Sequence, residues 1–267
     1  MNLGLDGRRA LVTGSSSGIG ARIAEMLADE GVTVVVHGRS VPAMESVVQN
    51  IRARGGDAEP VAADLLDPDG PRRLAVAAER YLGGVDILVN CAATGLDRPW
   101  DGTTEEDWRR LHELNVVTPA RLAQALVPGM RRRGWGRLIQ IASGAATQPQ
   151  AASVAYSTTK AGLVNLTTGL AQALDRSGIT VNTVSPGVIL TPRVEAYVRG
   201  LAAEQGWGDD WSDIEQRVLA GSIDNPTGRL GTPDDVAALV VFLASPLAGF
   251  INGTNHRVDG GAIAVVN

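Results

Sequence analysis

Short runs of β-branched and aliphatic residues alternate along the chain with longer stretches whose apolar positions recur at helical spacing. Ala10–Thr13 leads into a helical pattern over Ile19–Asp29 that stops at Gly31. Thr33–Val36 is followed by helical Val41–Arg54, a short strand around Val61 and a helix over Pro71–Leu82. The strand Asp86–Asn90 precedes a long helical region, Thr104–Arg133. Then come the strand Arg137–Ala142, a helix over Val154–Arg176, the strand Ile179–Val184, a helix over Asp234–Ala244 and a last strand, His256–Val258. Strands apolar on both faces and separated by helices predict a parallel sheet covered on both sides. Right-handed crossovers make this a doubly wound, mostly parallel, seven-stranded α/β fold, a single domain over residues 1–267. The stretch 192–227 has no strand pattern, carries Tyr197, Trp207 and Trp211, and is expected to be a lid inserted over the substrate site.

Composition narrows the function classes. Charged residues make up 20% and the net charge is −5, so clustered Lys and Arg for a nucleic-acid partner are not expected. A single cysteine, Cys91, excludes an internal disulfide and reads as a small buried hydrophobe. The three histidines, His37, His112 and His256, form no Cys/His cluster, so no metal site is expected. The apolar stretch Val236–Ile251 is interrupted by Ser245, Pro246 and Gly249 and is shorter than a membrane span of ~20 residues, so no membrane partner is expected. Met1–Gly7 lacks the basic and apolar regions of a secretion signal, and a cytoplasmic protein is expected.

Candidate chemistry begins where the first strand runs into Thr13-Gly14-Ser15-Ser16-Ser17-Gly18-Ile19-Gly20. Glycines let the backbone approach a pyrophosphate, and the helix N-terminus behind them supplies N–H groups and positive dipole. Ser15, Ser16 and Ser17 add hydroxyl donors. The second strand ends His37-Gly38-Arg39-Ser40, with no carboxylate for the ribose hydroxyls of NAD and with an Arg fork suited to the 2′-phosphate of NADP. NADP(H) is therefore the expected cofactor, with NAD(H) possible. Asp64, past the third strand, could face an adenine ring or cap the turn that follows it.

Tyr156 and Lys160 lie four apart in a helical pattern, which puts phenol and ammonium on one face. Ser143 closes a strand at its C-terminal end, where open α/β sheets bind ligands. A phenol ordinarily ionises near pH ~10, and a neighbouring cation favours the phenolate.

Taken together, Thr13-Gly14-x-x-x-Gly18-Ile19-Gly20, Asn90, Asn115, Ser143, Tyr156-x-x-x-Lys160, Pro186-Gly187 with Thr191, Gly228–Pro233 and Val258–Gly261 resemble the short-chain dehydrogenase/reductase family over essentially the whole chain. The resemblance implies a Rossmann-type fold and an NAD(P)-dependent enzyme. By it, Tyr156 is the proton donor or acceptor, Ser143 holds the carbonyl oxygen, Lys160 bonds the nicotinamide ribose, and Asn115 distorts its helix and holds a water in a proton relay. It also places Ser40, Leu65, Asn90 and Ala92 along the cofactor. Pro186, Gly187, Val188 and Ile189 fall at the nicotinamide, and Thr191 at the pyrophosphate or carboxamide. The chain departs from the family in reading Asn90-Cys91-Ala92-Ala93 where a glycine is usual at the last position.

The expected activity is NADPH-dependent reduction of a ketone of 3-oxoacyl or general carbonyl type, reversible with the secondary alcohol. An NAD-dependent sugar or polyol dehydrogenase is the alternative, and a non-catalytic dinucleotide-binding redox sensor is an alternative of another class. Expected substrate walls are Thr94–Leu96, Gly144–Thr147, Gln148–Gln150 and the segment after Thr191, with Arg193 and Arg199 as the nearby cations. The resemblance further implies a homotetramer.

Overall fold

The computed structural model describes residues 2–95, 98–221 and 224–265. Seven parallel strands run β1 (Arg9–Thr13), β2 (Thr33–Gly38), β3 (Ala58–Ala62), β4 (Ile87–Asn90), β5 (Gly136–Ile141), β6 (Ile179–Pro186) and β7 (Asn255–Val258). Their order in the sheet is β3-β2-β1-β4-β5-β6-β7. The chain winds outward from β1 in one direction and from β4 in the other. The crevice between these two strands at their C-terminal ends is the switch point where such sheets bind ligands.

The helices are α1 (Gly18–Asp29), α2 (Val41–Ala53), α3 (Gly70–Leu82), α4 (Glu105–His112), α5 (Thr118–Arg133), α6 (Val154–Ala173), α7 (Pro192–Gln205), α8 (Trp211–Leu219) and α9 (Pro233–Ala244). Their starts are written locally. Thr104 and Asp107 form a reciprocal capping box at α4, Thr232 and Asp235 do so at α9, and Thr191 caps α7 ahead of Pro192.

The core lies on both faces of the sheet, as strands apolar on both sides require. On one face Val12, Val34, Val89 and Ile139 pack with Ile23, Leu27, Val240 and Leu243 of α1 and α9. On the other, Leu11, Leu88, Leu138 and Val181 pack with Leu74, Leu122 and Leu126 of α3 and α5. A third cluster, Val198, Ala202, Ile214, Val218 and Leu230, joins α7 and α8 to the body of the fold. The stretch read as a lid thus has a small core of its own.

The long helix expected over Thr104–Arg133 is interrupted. Glu113–Val117 forms a π-helical turn between α4 and α5. Spacing alone could not show this, because one residue per turn more or less leaves the apolar stripe recognisable. Among the described residues no helix is long and apolar enough to cross a membrane.

Candidate active site

The site sits at the C-terminal edge of β1, β4 and β5. Gly14 has φ +66° and a side chain there would come within 2.8 Å of the Ala92 Cα, so only glycine lets the turn after β1 pass the turn after β4. Ser17 stands at the N-cap of α1 with its hydroxyl outside any capping bond, and no carboxylate occupies the first turn of α1. Thr191 lies directly above this turn, its Cγ2 3.2 Å from where a Gly18 Cβ would be. Ser16 is partly exposed beside them, whereas Ser15 is fully buried. The Ser15 hydroxyl donates to the Val12 carbonyl at 2.6 Å and accepts the His37 N–H at 2.9 Å. The expectation that all three serines offer donors is therefore corrected: Ser15 is spent on joining β1 to β2.

His37 is the residue sequence reasoning passed over. Its Nδ1 accepts the Gly14 N–H at 3.1 Å and its Nε2 lies 3.2 Å from the Ala63 carbonyl. Only a neutral ring with its proton on Nε2 satisfies both. Burial pushes its pKa down to about 4. A histidine in an otherwise aliphatic strand beside a glycine turn was the available signal.

At the end of β2, Arg39 is exposed and makes no hydrogen bond or ion pair among the described residues. Its neighbour Gly38 has no room for a carboxylate-bearing side chain, since a Cβ would stand 2.8 Å from the Ser16 side chain. Asp64 accepts the Leu66 N–H at 3.0 Å, which is the turn-capping alternative, and stays exposed. Leu65 is buried, and its carbonyl accepts from the Thr118 hydroxyl at 3.2 Å. Asn90 is buried with both amide atoms lacking a partner among the described residues.

Tyr156 and Lys160 occupy successive turns of α6. The Lys160 ammonium is buried, donates to the Ile141 carbonyl at 2.8 Å and lies 5.6 Å from the centre of the Tyr156 ring. Its anchor is two residues before Ser143, so one bond fixes the Tyr156 face of α6 against the end of β5. Burial pushes the Lys160 pKa down to about 8 and that of the nearby Cys91 thiol up to about 11, which keeps the thiol protonated and unreactive. Ser143 begins a short 3-10 turn, its Oγ accepting the Ala145 N–H at 3.2 Å.

Asn115 lies in the π turn, fully buried. Its Oδ1 accepts the Thr94 N–H, and its Nδ2 donates to the Thr94 carbonyl and to the Thr159 hydroxyl, each at 3.0 Å. Thr159 in turn donates to the Tyr156 carbonyl at 2.8 Å. The side chain thus clamps the loop after β4 to α6.

A cavity of about 790 Å³ opens beside Ser143. Its walls are residues 143–145 and 148–150, the Pro186–Ile189 stretch, parts of 224–235 and the C-terminal segment 257–263. Of the expected walls, Thr94, Gly95, Ala146 and Thr147 do not line it, nor does any described residue of 191–221, Tyr197, Trp207 and Trp211 included, and Leu96 lies outside the described residues. Neither Arg193 nor Arg199 reaches it; Arg199 pairs with Glu195 at 2.8 Å instead. The C-terminal wall was not anticipated. Ile263 packs so closely on Gly144 that a Cβ there would meet its Cδ1 at 2.8 Å.

A glycine-rich turn at the switch point, an Asn90 whose amide has no partner among the described residues, and Ser143 at the same edge as the Tyr156–Lys160 pair, although Tyr156 itself does not line the cavity, are the parts of a nicotinamide-dinucleotide oxidoreductase. A family model described as enoyl-(acyl carrier protein) reductase matches residues 14–262. The chain is 34% identical over 259 residues to the 3-oxoacyl-[acyl-carrier-protein] reductase of Vibrio cholerae, covering 97% of this chain and 98% of that one. It is 35% identical over 266 residues to the 7alpha-hydroxysteroid dehydrogenase of Escherichia coli, covering 100% and 98%. Among solved structures, the L-sorbose reductase of Gluconobacter frateurii, complexed with NADPH and L-sorbose, superposes with a TM-score of 0.94 at 36% identity over all of both chains. The chain belongs to the short-chain dehydrogenase/reductase family and is an NAD(P)-dependent enzyme.

Proposed function

We propose that the protein is an NADPH-dependent reductase that converts a ketone to a secondary alcohol, reversibly, of 3-oxoacyl or general carbonyl type. The observation that carries this reading is the buried Lys160 ammonium, bonded to Ile141 at 2.8 Å and 5.6 Å from the Tyr156 ring, at the sheet edge where Ser143 opens onto the cavity.

Ser17, the backbone N–H groups at the start of α1 and Thr191 would hold the pyrophosphate. Asn90 and Ala92 would meet the adenosine side, and Lys160 the nicotinamide ribose. Arg39, exposed and without an ion pair among the described residues, would take the 2′-phosphate, and the crowding at Gly38 disfavours a carboxylate at that position. The solved relative bound to NADPH supports the same preference. When bound, the reduced nicotinamide supplies a hydride to the carbonyl carbon. Ser143 donates to the carbonyl oxygen and holds it in place. Tyr156 gives that oxygen its proton, and the Lys160 charge stabilises the phenolate left behind. Asn115 keeps the loop after β4 and the Tyr156 turn of α6 in register. Water entering at the π turn would return the proton through Lys160.

A second reading, sugar or polyol chemistry, is favoured by the relative crystallised with L-sorbose. A redox sensor without turnover would have no use for a Lys buried at a cost beside Tyr156. The test is a panel of ketones and alcohols with NAD, NADH, NADP and NADPH. Oxidation of NADPH by ketones, with NADH poorer, is expected. Binding of NADPH with no turnover of any ketone or alcohol would sink the reading. The helices α4–α6 and β7, with the fully exposed Phe250, would form the contacts of a homotetramer.

A further inference from the structure

We propose that the cavity beside Ser143 selects an uncharged, hydroxyl-bearing ketone and rejects anionic ones. The inference rests on the reductase reading and adds the substrate's charge and polarity.

Two guanidinium groups line the cavity, and both are already compensated. Arg229 forms a two-pronged pair with Asp235 at 2.7 and 2.8 Å and donates to the Leu230 carbonyl at 3.0 Å. Arg229 holds the Asp235 carboxyl well below the usual carboxylate range, so the pair persists as ions at any working pH. Arg257 donates to the Val265 carbonyl at 3.2 Å, and its Nε lies 3.8 Å from Asp259. Asp259 is itself held in place, accepting the Gly261 N–H at 3.0 Å. A third carboxylate, Asp224, lines the cavity exposed and without an ion pair among the described residues. The wall therefore carries an excess of negative charge. A carboxylate or phosphate entering it would leave water, face Asp224 and find no spare cation among the described lining residues.

The uncharged groups on the same wall suit hydroxyls. The Gln148 amide is exposed with no partner among the described residues. Gln150 uses its Oε1 to accept the Ser153 hydroxyl at 3.2 Å, which leaves its NH2 group to donate. A primary amide both donates and accepts, and so does a hydroxyl. Both glutamines follow Ser143 closely in the chain and line the same cavity. Ile263, packed on Gly144, adds an apolar contact to the same cavity.

The test uses the full chain with NADPH and three probes: a ketohexose, its phosphate ester, and an unsubstituted alkyl ketone of equal carbon count. The ketohexose is expected to have a kcat/KM at least about tenfold above either of the others. Asp224→Asn should narrow the gap to the phosphate ester by about threefold or more, and Gln148→Leu the gap to the alkyl ketone by about tenfold. Both positions are exposed, and an unchanged melting temperature would certify the fold. A phosphate ester reduced as well as the free sugar would overturn the charge selection. An alkyl ketone reduced as well as the sugar, or a Gln148→Leu variant with the parent's preference, would overturn the hydroxyl recognition. If NADPH is oxidised by none of the three, the reductase reading itself falls.

Discussion

The Gly14 N–H donates to Nδ1 of His37 at 3.1 Å, and this bond ties the glycine-rich turn after β1 to the end of β2. The opposite ring nitrogen reaches the Ala63 carbonyl past β3, so one imidazole joins three strand ends behind the cofactor site. Protonation at Nδ1 would set an N–H against an N–H.

Stability should therefore fall in mild acid. The His37 pKa lies near 4 in the fold against about 6.5 in the unfolded chain. The unfolded state thus takes up the proton first as pH drops. The contribution is complete above about pH 6.5 and is lost between there and about pH 4, up to about 3 kcal/mol. Urea unfolding across this window should show a steeper loss for the parent than for His37→Gln. Equal slopes would mean that the imidazole is not the titrating group.

On the proposed mechanism Tyr156→Phe removes the proton donor. NADPH binding, followed by quenching or calorimetry, should be retained, while kcat falls by about a thousandfold. Retained turnover would remove Tyr156 from the chemistry.

Lys160→Met should inactivate the enzyme and yet stabilise it. Burial holds the Lys160 pKa near 8, below its ordinary 10.5, so at neutral pH the fold carries a charge it would rather lose. Methionine removes that penalty but leaves the Ile141 carbonyl without its partner, for a net gain of about 1–2 kcal/mol. The parent should regain the difference as pH rises from about 8 to about 10.5, where the ammonium is shed in the fold first. Denaturant melts at pH 7 and above pH 9 would check both signs.

Arg39→Asp should swing cofactor preference toward NADH by about tenfold to a hundredfold, since it deletes a phosphate partner and adds a repulsive charge. Ratios of kcat/KM for the two cofactors measure this, and an unchanged ratio would refute the assignment of Arg39. Gly38→Asp is the poorer route, because its side chain would collide with Ser16.

Light scattering should give the mass of four chains, and Phe250→Asp should shift it toward smaller species. A parent that is monomeric at all concentrations would refute the assembly.

Much of this protein was legible in local pattern. The strands announced themselves as aliphatic runs, the tight turn after β1 as glycines at fixed spacing, and the Tyr156–Lys160 face as a four-residue interval. Each depends on residues a few positions apart, whose geometry the backbone dictates. The π turn was not legible in the spacing, although the family resemblance put a helix distortion at Asn115: the bonds Asn115 makes are to Thr94 and Thr159, far away in the chain. The position of His37 at the end of a strand was plain, but its bond to Gly14 needed β1 and β2 side by side. The cavity is the extreme case. Ile263 meets Gly144, and whether Arg229 and Arg257 are free or paired depends on which carboxylates the fold sets against them. Spacing along the chain determined which groups could do the chemistry. Only tertiary packing decided which charges stay available to a substrate, because a salt bridge is made across space and leaves no period in the sequence.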